Sequence, residues 1–118
     1  MGQFPAGSVV LITFPFSDLS GGKKRPALIL ADAGRGDYLL LQITSKSWSD
    51  PHAIALDNTD FLEGSLPFTS YVRPGKVFTG NVSIIERTVA FMKEDKMNHI
   101  KDVLIFLVKK GSFDPSKG

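Results

Sequence analysis

Apolar residues along this chain fall mostly into short runs broken by Gly, Pro, Ser and Asp, the pattern of strands separated by turns. The first run, Val9-Val10-Leu11-Ile12-Thr13-Phe14, stops at Pro15, which has no N–H to offer a strand ladder. The second, Pro26-Ala27-Leu28-Ile29-Leu30, opens behind Arg25, a residue that the following proline pushes towards extended angles. Residues 17–24 between them read as a long, polar, basic loop. The turn Ala33-Gly34-Arg35-Gly36-Asp37 predicts a hairpin that pairs residues 27–32 with 38–44. The second arm, Tyr38-Leu39-Leu40-Leu41-Gln42-Ile43-Thr44, is almost continuously apolar, as expected of a strand buried on both faces or built into a small closed barrel.

Further strands are expected over 52–56, over 69–73 until Pro74-Gly75 halts it, in extended form over 76–79, and over 86–92. Residues 57–67 read as a loop with a short turn at 61–64. The pattern then changes: Met97, Ile100, Leu104, Leu107 and Val108 follow helical spacing. Glu94 and Asp95 at the start of this segment and Lys109 and Lys110 at its end suit the helix dipole, and Gly111 is placed to end it. Residues 111–118 read as a frayed tail. The expectation is a mainly β domain, a compact antiparallel barrel with one C-terminal helix packed on it.

Composition narrows this picture little. At 118 residues the chain reads as a single domain, and 42% hydrophobic with 22% charged residues is ordinary for a folded protein. It has no cysteine, which excludes disulfides, thiolate metal sites and a cysteine nucleophile. The start lacks the basic and long apolar regions of a signal peptide, and no run approaches the roughly 20 apolar residues of a membrane helix. A cytoplasmic protein is therefore expected. A net charge of +2 permits a nucleic-acid partner without requiring one.

Three clusters could carry chemistry. Lys23-Lys24-Arg25 joins two mobile point charges to a guanidinium fork that can hold two phosphate oxygens, although three basic residues more often form a solvated turn. Thr44-Ser45-Lys46 ends the apolar strand, where hydroxyls can donate to a phosphate or simply cap a turn. The predicted hairpin sets Arg25 and Thr44 at the same end of the sheet, and this raises the functional reading of both. In Ser70-Tyr71-Val72-Arg73-Pro74-Gly75-Lys76, strand alternation puts Tyr71 and Arg73 on one face, suited to base stacking beside phosphate contact or to an aromatic packed under an arginine stem. Trp48 reads as a loop anchor, a stacking platform or an interface residue. His52 and His99 lack metal-ligand spacing and read as surface residues. There is no Walker loop, HExxH or GxSxG.

The order and spacing of GSVVLITFPFSD, KKRPALIL, ITS at 43–45 and SYVRPGKVFT at 70–79, followed by the apolar helix, resemble the MazF/PemK toxins of type II toxin-antitoxin systems, particularly their PemK-like branch. The resemblance spans residues 7–108. It implies an SH3-like barrel, a homodimer, and metal-independent, sequence-specific endoribonuclease activity on single-stranded RNA. In that chemistry the 2′-hydroxyl attacks the adjacent phosphate and leaves a cyclic phosphate and a 5′-hydroxyl. Arg25 matches the family's arginine before proline, and Thr44, or else Ser45, matches the hydroxyl that holds the scissile phosphate. Lys23, Lys24, Ser45, Lys46, Ser70, Arg73 and Lys76 are the RNA-binding candidates beside them. No cofactor is implied, and the implied partner is a cognate acidic antitoxin. A free arginine holds its proton too tightly to act as a base, so an electrostatic clamp is the better role for Arg25. One departure stands out: some PemK-type relatives carry an acid two residues after the arginine of the SYVR strand, and this chain has Gly75 there. Two other readings stay open on the same barrel, a catalytically impaired RNA- or protein-binding module and a gyrase-directed toxin.

Overall fold

Alternation along the strands sorts the apolar side chains into two separate cores, one on each face of a single sheet. The computed structural model describes residues 3–14, 23–46 and 50–111. Its strands are β1 (Ser8–Phe14), β2 (Lys23–Gly34), β3 (Asp37–Thr44), β4 (Ile54–Leu56), β5 (Phe61–Gly64), β6 (Ser70–Asn81) and β7 (Ile85–Met92), followed by the helix α1 (Glu94–Lys110). All pairings are antiparallel, in the order β4-β6-β3-β2-β1-β7-β5. The sheet curls into a half-barrel whose edge strands β4 and β5 do not pair with each other. Every strand and α1 contribute to the larger core, through Val9, Leu28, Leu41, Ile54, Phe61, Val72, Met92 and Ile100 among others, so this core fills the barrel interior. Val10, Ile12, Ala27, Ile29, Tyr38, Leu40 and Ile85 form the second core outside, covered by Phe4, Phe78 and Val82. Phe4 meets Tyr38 edge to face at 5.7 Å, and the Tyr38 hydroxyl accepts a hydrogen bond from the Gln3 N–H at 2.9 Å. β3 is thus the doubly buried strand its apolar run predicts.

Four elements depart from the sequence pattern. β2 begins at Lys23, so Lys23 and Lys24, expected in the loop, belong to the strand. β6 is not halted at Pro74-Gly75. It continues to Asn81 because residues 73–76 form a bulge, a place where a strand tolerates proline. Residues 61–64, expected as a turn, form β5, because Phe61 is buried opposite Met92. In α1 only Met97 and Ile100 are buried, while Val108, expected on the packed face, is 71% exposed, so the last turns run past the sheet. Gly111 ends the helix as expected, in the left-handed region at φ 55° with its N–H donating to the Leu107 carbonyl. The loop residues 17–22, Trp48 and residues 112–118, on which the sequence also raised expectations, lie outside the described residues. No helix among the described residues is long and apolar enough to cross a membrane.

Gly64 closes the β5 edge. Its φ is +70°, and a Cβ there would overlap the Val89 carbonyl. Gly64→Ala is expected to destabilise the protein by about 2 kcal/mol or more, from backbone strain plus forced separation of β5 and β7. Thermal denaturation is the check, and an unchanged midpoint would contradict this account.

Candidate nucleic-acid interface

The end of the sheet where β2 begins and β3 finishes gathers polar side chains on the outer face, just past the second core. Ala27 pairs with Gln42, and continuing that register by two residues brings Arg25 level with Thr44. Arg25 shares its face with Ala27 and Ile29, and Thr44 shares its face with Gln42 and Leu40, because strand side chains alternate. On the other side of β3, Thr44 pairs with Tyr71, placing Tyr71 and then Arg73 on that same face. Lys76 follows, two residues before the core residue Phe78. Arg25, Gln42, Thr44, Tyr71, Arg73 and Lys76 therefore come from three adjacent strands onto one surface.

The bulge aims this cluster. Leu41 pairs with Val77 and Ile43 with Val72, so Gln42 alone faces the four residues 73–76. Pro74 is buried within the bulge. Arg73 Nη1 donates to Gln42 Oε1 at 2.6 Å, and Arg73 Nε lies 3.7 Å from Asp50 Oδ2, an ion-pair distance longer than a hydrogen bond. With side-chain exposures of 16% and 6%, Arg73 and Asp50 are both largely withdrawn from water. Gln42, Arg73, Lys76, Val77 and Phe78 line an open cavity of about 280 Å³. This is an open cradle, slightly under the range of small-molecule pockets. Arg25 and Lys76 are exposed, and among the described residues no carboxylate pairs with Arg25. The Thr44 hydroxyl oxygen accepts from the Lys46 N–H at 3.1 Å, which leaves its proton to donate to a ligand. Such a surface can grip successive phosphates and stack a base.

The family model for the PemK-like, MazF-like toxin of type II toxin-antitoxin systems matches residues 6–108. The chain belongs to this toxin family. Among solved structures, its fold is similar to an endoribonuclease in complex with its cognate antitoxin from Mycobacterial species, with 20% identity over 98% of this chain and 100% of the other, at a TM-score of 0.64. It is likewise similar to MazE-MazF from Deinococcus radiodurans, with 22% identity over 92% and 98% of the two chains and a TM-score of 0.70. Mycobacterium tuberculosis toxin MazF-mt6 is a third, with 14% identity over 86% and 96% and a TM-score of 0.65. No curated protein matches the chain in sequence.

In this toxin-family chain the RNA-binding candidates divide by position. Arg25, Thr44, Arg73 and Lys76 share the face just described, and Ser45 and Lys46 are exposed directly beyond β3. Lys24 does not join them. One residue from Arg25, it lies on the opposite face, where its ammonium contacts the Glu86 carboxylate at 2.8 Å. Lys23 pairs through its backbone with Phe14. Ser70 is turned inward and 6% exposed, and its hydroxyl donates to the Phe68 carbonyl at 2.8 Å. Sequence reading passed over Gln42 and Asp50. Gln42 carried a faint signal as the one polar residue inside an apolar strand, but Asp50 lies in an irregular connection where alternation says nothing. Among the described residues no three His, Asp or Glu side chains are grouped to hold a metal ion.

Proposed function

We propose that this chain is the toxin of a type II toxin-antitoxin pair and cuts single-stranded RNA as a metal-independent, sequence-specific endoribonuclease. The ribose 2′-oxygen attacks the neighbouring phosphorus while the P–O5′ bond breaks. The proton lost from the 2′-hydroxyl is balanced by the one gained at O5′, giving a 2′,3′-cyclic phosphate and a 5′-hydroxyl end. Charge accumulates on the non-bridging oxygens as the transition state forms, and a fixed cation aimed at them lowers the barrier more than it stabilises the ground state. Arg25 has the exposure and the fork geometry for that clamp, and the Thr44 hydroxyl can donate to the same phosphate. Arg73 and Lys76 would hold neighbouring phosphates, with Tyr71 as a stacking surface. Ser45 and Lys46 lie exposed just beyond β3 and, together with Lys23, would guide the RNA backbone.

What carries this reading is the register of β2 and β3, which, extended two residues past the Ala27–Gln42 pair, sets Arg25 level with Thr44 on one face, beside two further cations, in a chain of this toxin family. A cognate acidic antitoxin that lays carboxylates across the same cations would compete with RNA for them. The exposed Ile105, Phe106 and Val108 of α1 offer apolar surface to a second copy in a homodimer. The reading places the protein in the cytoplasm, where messenger RNA is found.

The test is direct. Incubated with single-stranded RNA in EDTA, the protein is expected to yield fragments ending in 2′,3′-cyclic phosphate and 5′-hydroxyl. RNA bound but left intact would favour the impaired binding module instead, and inhibition of gyrase supercoiling without RNA cleavage would favour a gyrase-directed toxin.

A further inference from the structure

Gly75 has an ordinary explanation available, a backbone that only glycine can adopt, and the structure removes it. Gly7, Gly34, Gly36, Gly64 and Gly111 have positive φ; Gly75 does not, so its backbone is open to any residue. What a side chain at 75 would meet is a carboxylate. A Cβ built there lies 3.2 Å from Asp50 Oδ2 and 3.9 Å from both Asp50 Cγ and Oδ1. The space beside Arg73 into which a residue at 75 would project is therefore filled by an acid from the β3–β4 connection.

That acid is firmly held. Asp50 Oδ1 accepts the His52 N–H at 2.8 Å, and the Asp50 carbonyl accepts the Ala53 N–H at 3.0 Å, so the turn fixes both ends of the residue. Its other oxygen faces Arg73 Nε at 3.7 Å, while Gln42 takes Arg73 Nη1 at 2.6 Å. Gln42 thus binds one nitrogen of the guanidinium and Asp50 stands at ion-pair distance from the buried Nε, which makes no hydrogen bond among the described residues, while Arg73 lines the cavity together with Gln42 and Lys76. At 6% side-chain exposure, with one oxygen taken by the His52 N–H and the other facing Arg73, Asp50 is suited to holding a largely buried cation.

We propose that Asp50 is the positioning carboxylate of the RNA site, orienting Arg73 towards the phosphate from a segment distant in sequence, and that position 75 is glycine to make room for it. This rests on the ribonuclease reading above for its consequence in catalysis, though not for the geometry it asserts. A guanidinium released from this hold samples several rotamers, and a misplacement of about 1 Å in a site group can cost on the order of 100-fold in rate.

The experiment compares the protein with Asp50→Asn, Asp50→Ala and the double variant Asp50→Ala/Gly75→Asp, which moves the carboxylate to β6. Two readouts are taken, RNA cleavage rate and the 15N-edited NMR signal of the Arg73 Nε–H, assigned by its loss in Arg73→Lys. Both single variants are expected to cleave about 10- to 100-fold more slowly. They are also expected to lose the sharp, exchange-protected Arg73 signal. The double variant is expected to recover both. Because Asp50→Asn keeps the shape of the side chain, it separates loss of charge from loss of fold. Wild-type cleavage by either single variant, or an Arg73 signal indifferent to Asp50, would overturn the proposal. If the wild-type protein leaves RNA intact, the ribonuclease reading fails and the Arg73 signal alone decides whether Asp50 positions it.

Discussion

Arg25→Ala is expected to lower RNA cleavage by about 100- to 1000-fold, equivalent to roughly 3–4 kcal/mol of transition-state stabilisation. The magnitude follows from the part assigned to the guanidinium, since a preorganised donor aimed at developing charge is typically the largest single contribution a site makes. The same substitution is expected to leave folding stability within about 0.5 kcal/mol, because the Arg25 side chain is exposed and fills no core. Thr44→Ala is expected to cost less, around tenfold, since a neutral hydroxyl donates more weakly than a cation. Single-turnover cleavage with denaturation of the same samples separates the two effects. An Arg25→Ala protein that cleaves at the wild-type rate would remove Arg25 from the reaction and, with it, the mechanism proposed.

Arg73→Ala is expected to do the opposite kind of damage as well. Besides weakening RNA contact, it leaves the Asp50 carboxylate buried without its guanidinium, and breaking a buried pair by removing one partner typically costs 3–5 kcal/mol. The separation of 3.7 Å and the retained hydrogen bond from His52 place the expectation below that, at about 2–3 kcal/mol. Removing both charges should be cheaper than the sum of the two single changes, with a coupling of about 1–2 kcal/mol. Urea unfolding of wild type, Arg73→Ala, Asp50→Ala and the double Ala variant measures it as a shift in midpoint at constant slope. Arg73→Ala within 0.5 kcal/mol of wild type would show that the pair contributes no stability. Arg25 and Arg73 are thus expected to differ as their exposure does, substitution of the first costing activity alone and of the second both activity and stability.

β6 was expected to stop at Pro74-Gly75 because proline breaks a ladder, and that rule is right for a regular strand. It does not foresee a four-residue bulge opposite Gln42, since a bulge is a property of two strands rather than one. β5 likewise depends on a partner strand. Phe61-Leu62-Glu63-Gly64 has no strand pattern of its own and becomes a strand by pairing with β7. Val108 was placed on the packed face by spacing that holds all along α1, but the sheet ends before the helix does.

From the sequence by itself came the strand-rich class, the β2–β3 hairpin, the C-terminal helix with its caps, and Arg25 and Thr44 at one end of the sheet. All of these are local or rest on a single turn, so periodicity and turn chemistry suffice to reach them. Only the tertiary structure decided that Lys24 faces away from Arg25 to meet Glu86, that Ser70 turns inward, and that the bulge brings Arg73 and Gln42 together. It also brought Asp50 to Gly75 across 25 residues of chain. A contact between charges carries no periodic signal in the residues separating them, and the missing side chain at position 75 acquires its meaning only once the carboxylate occupying its space is seen.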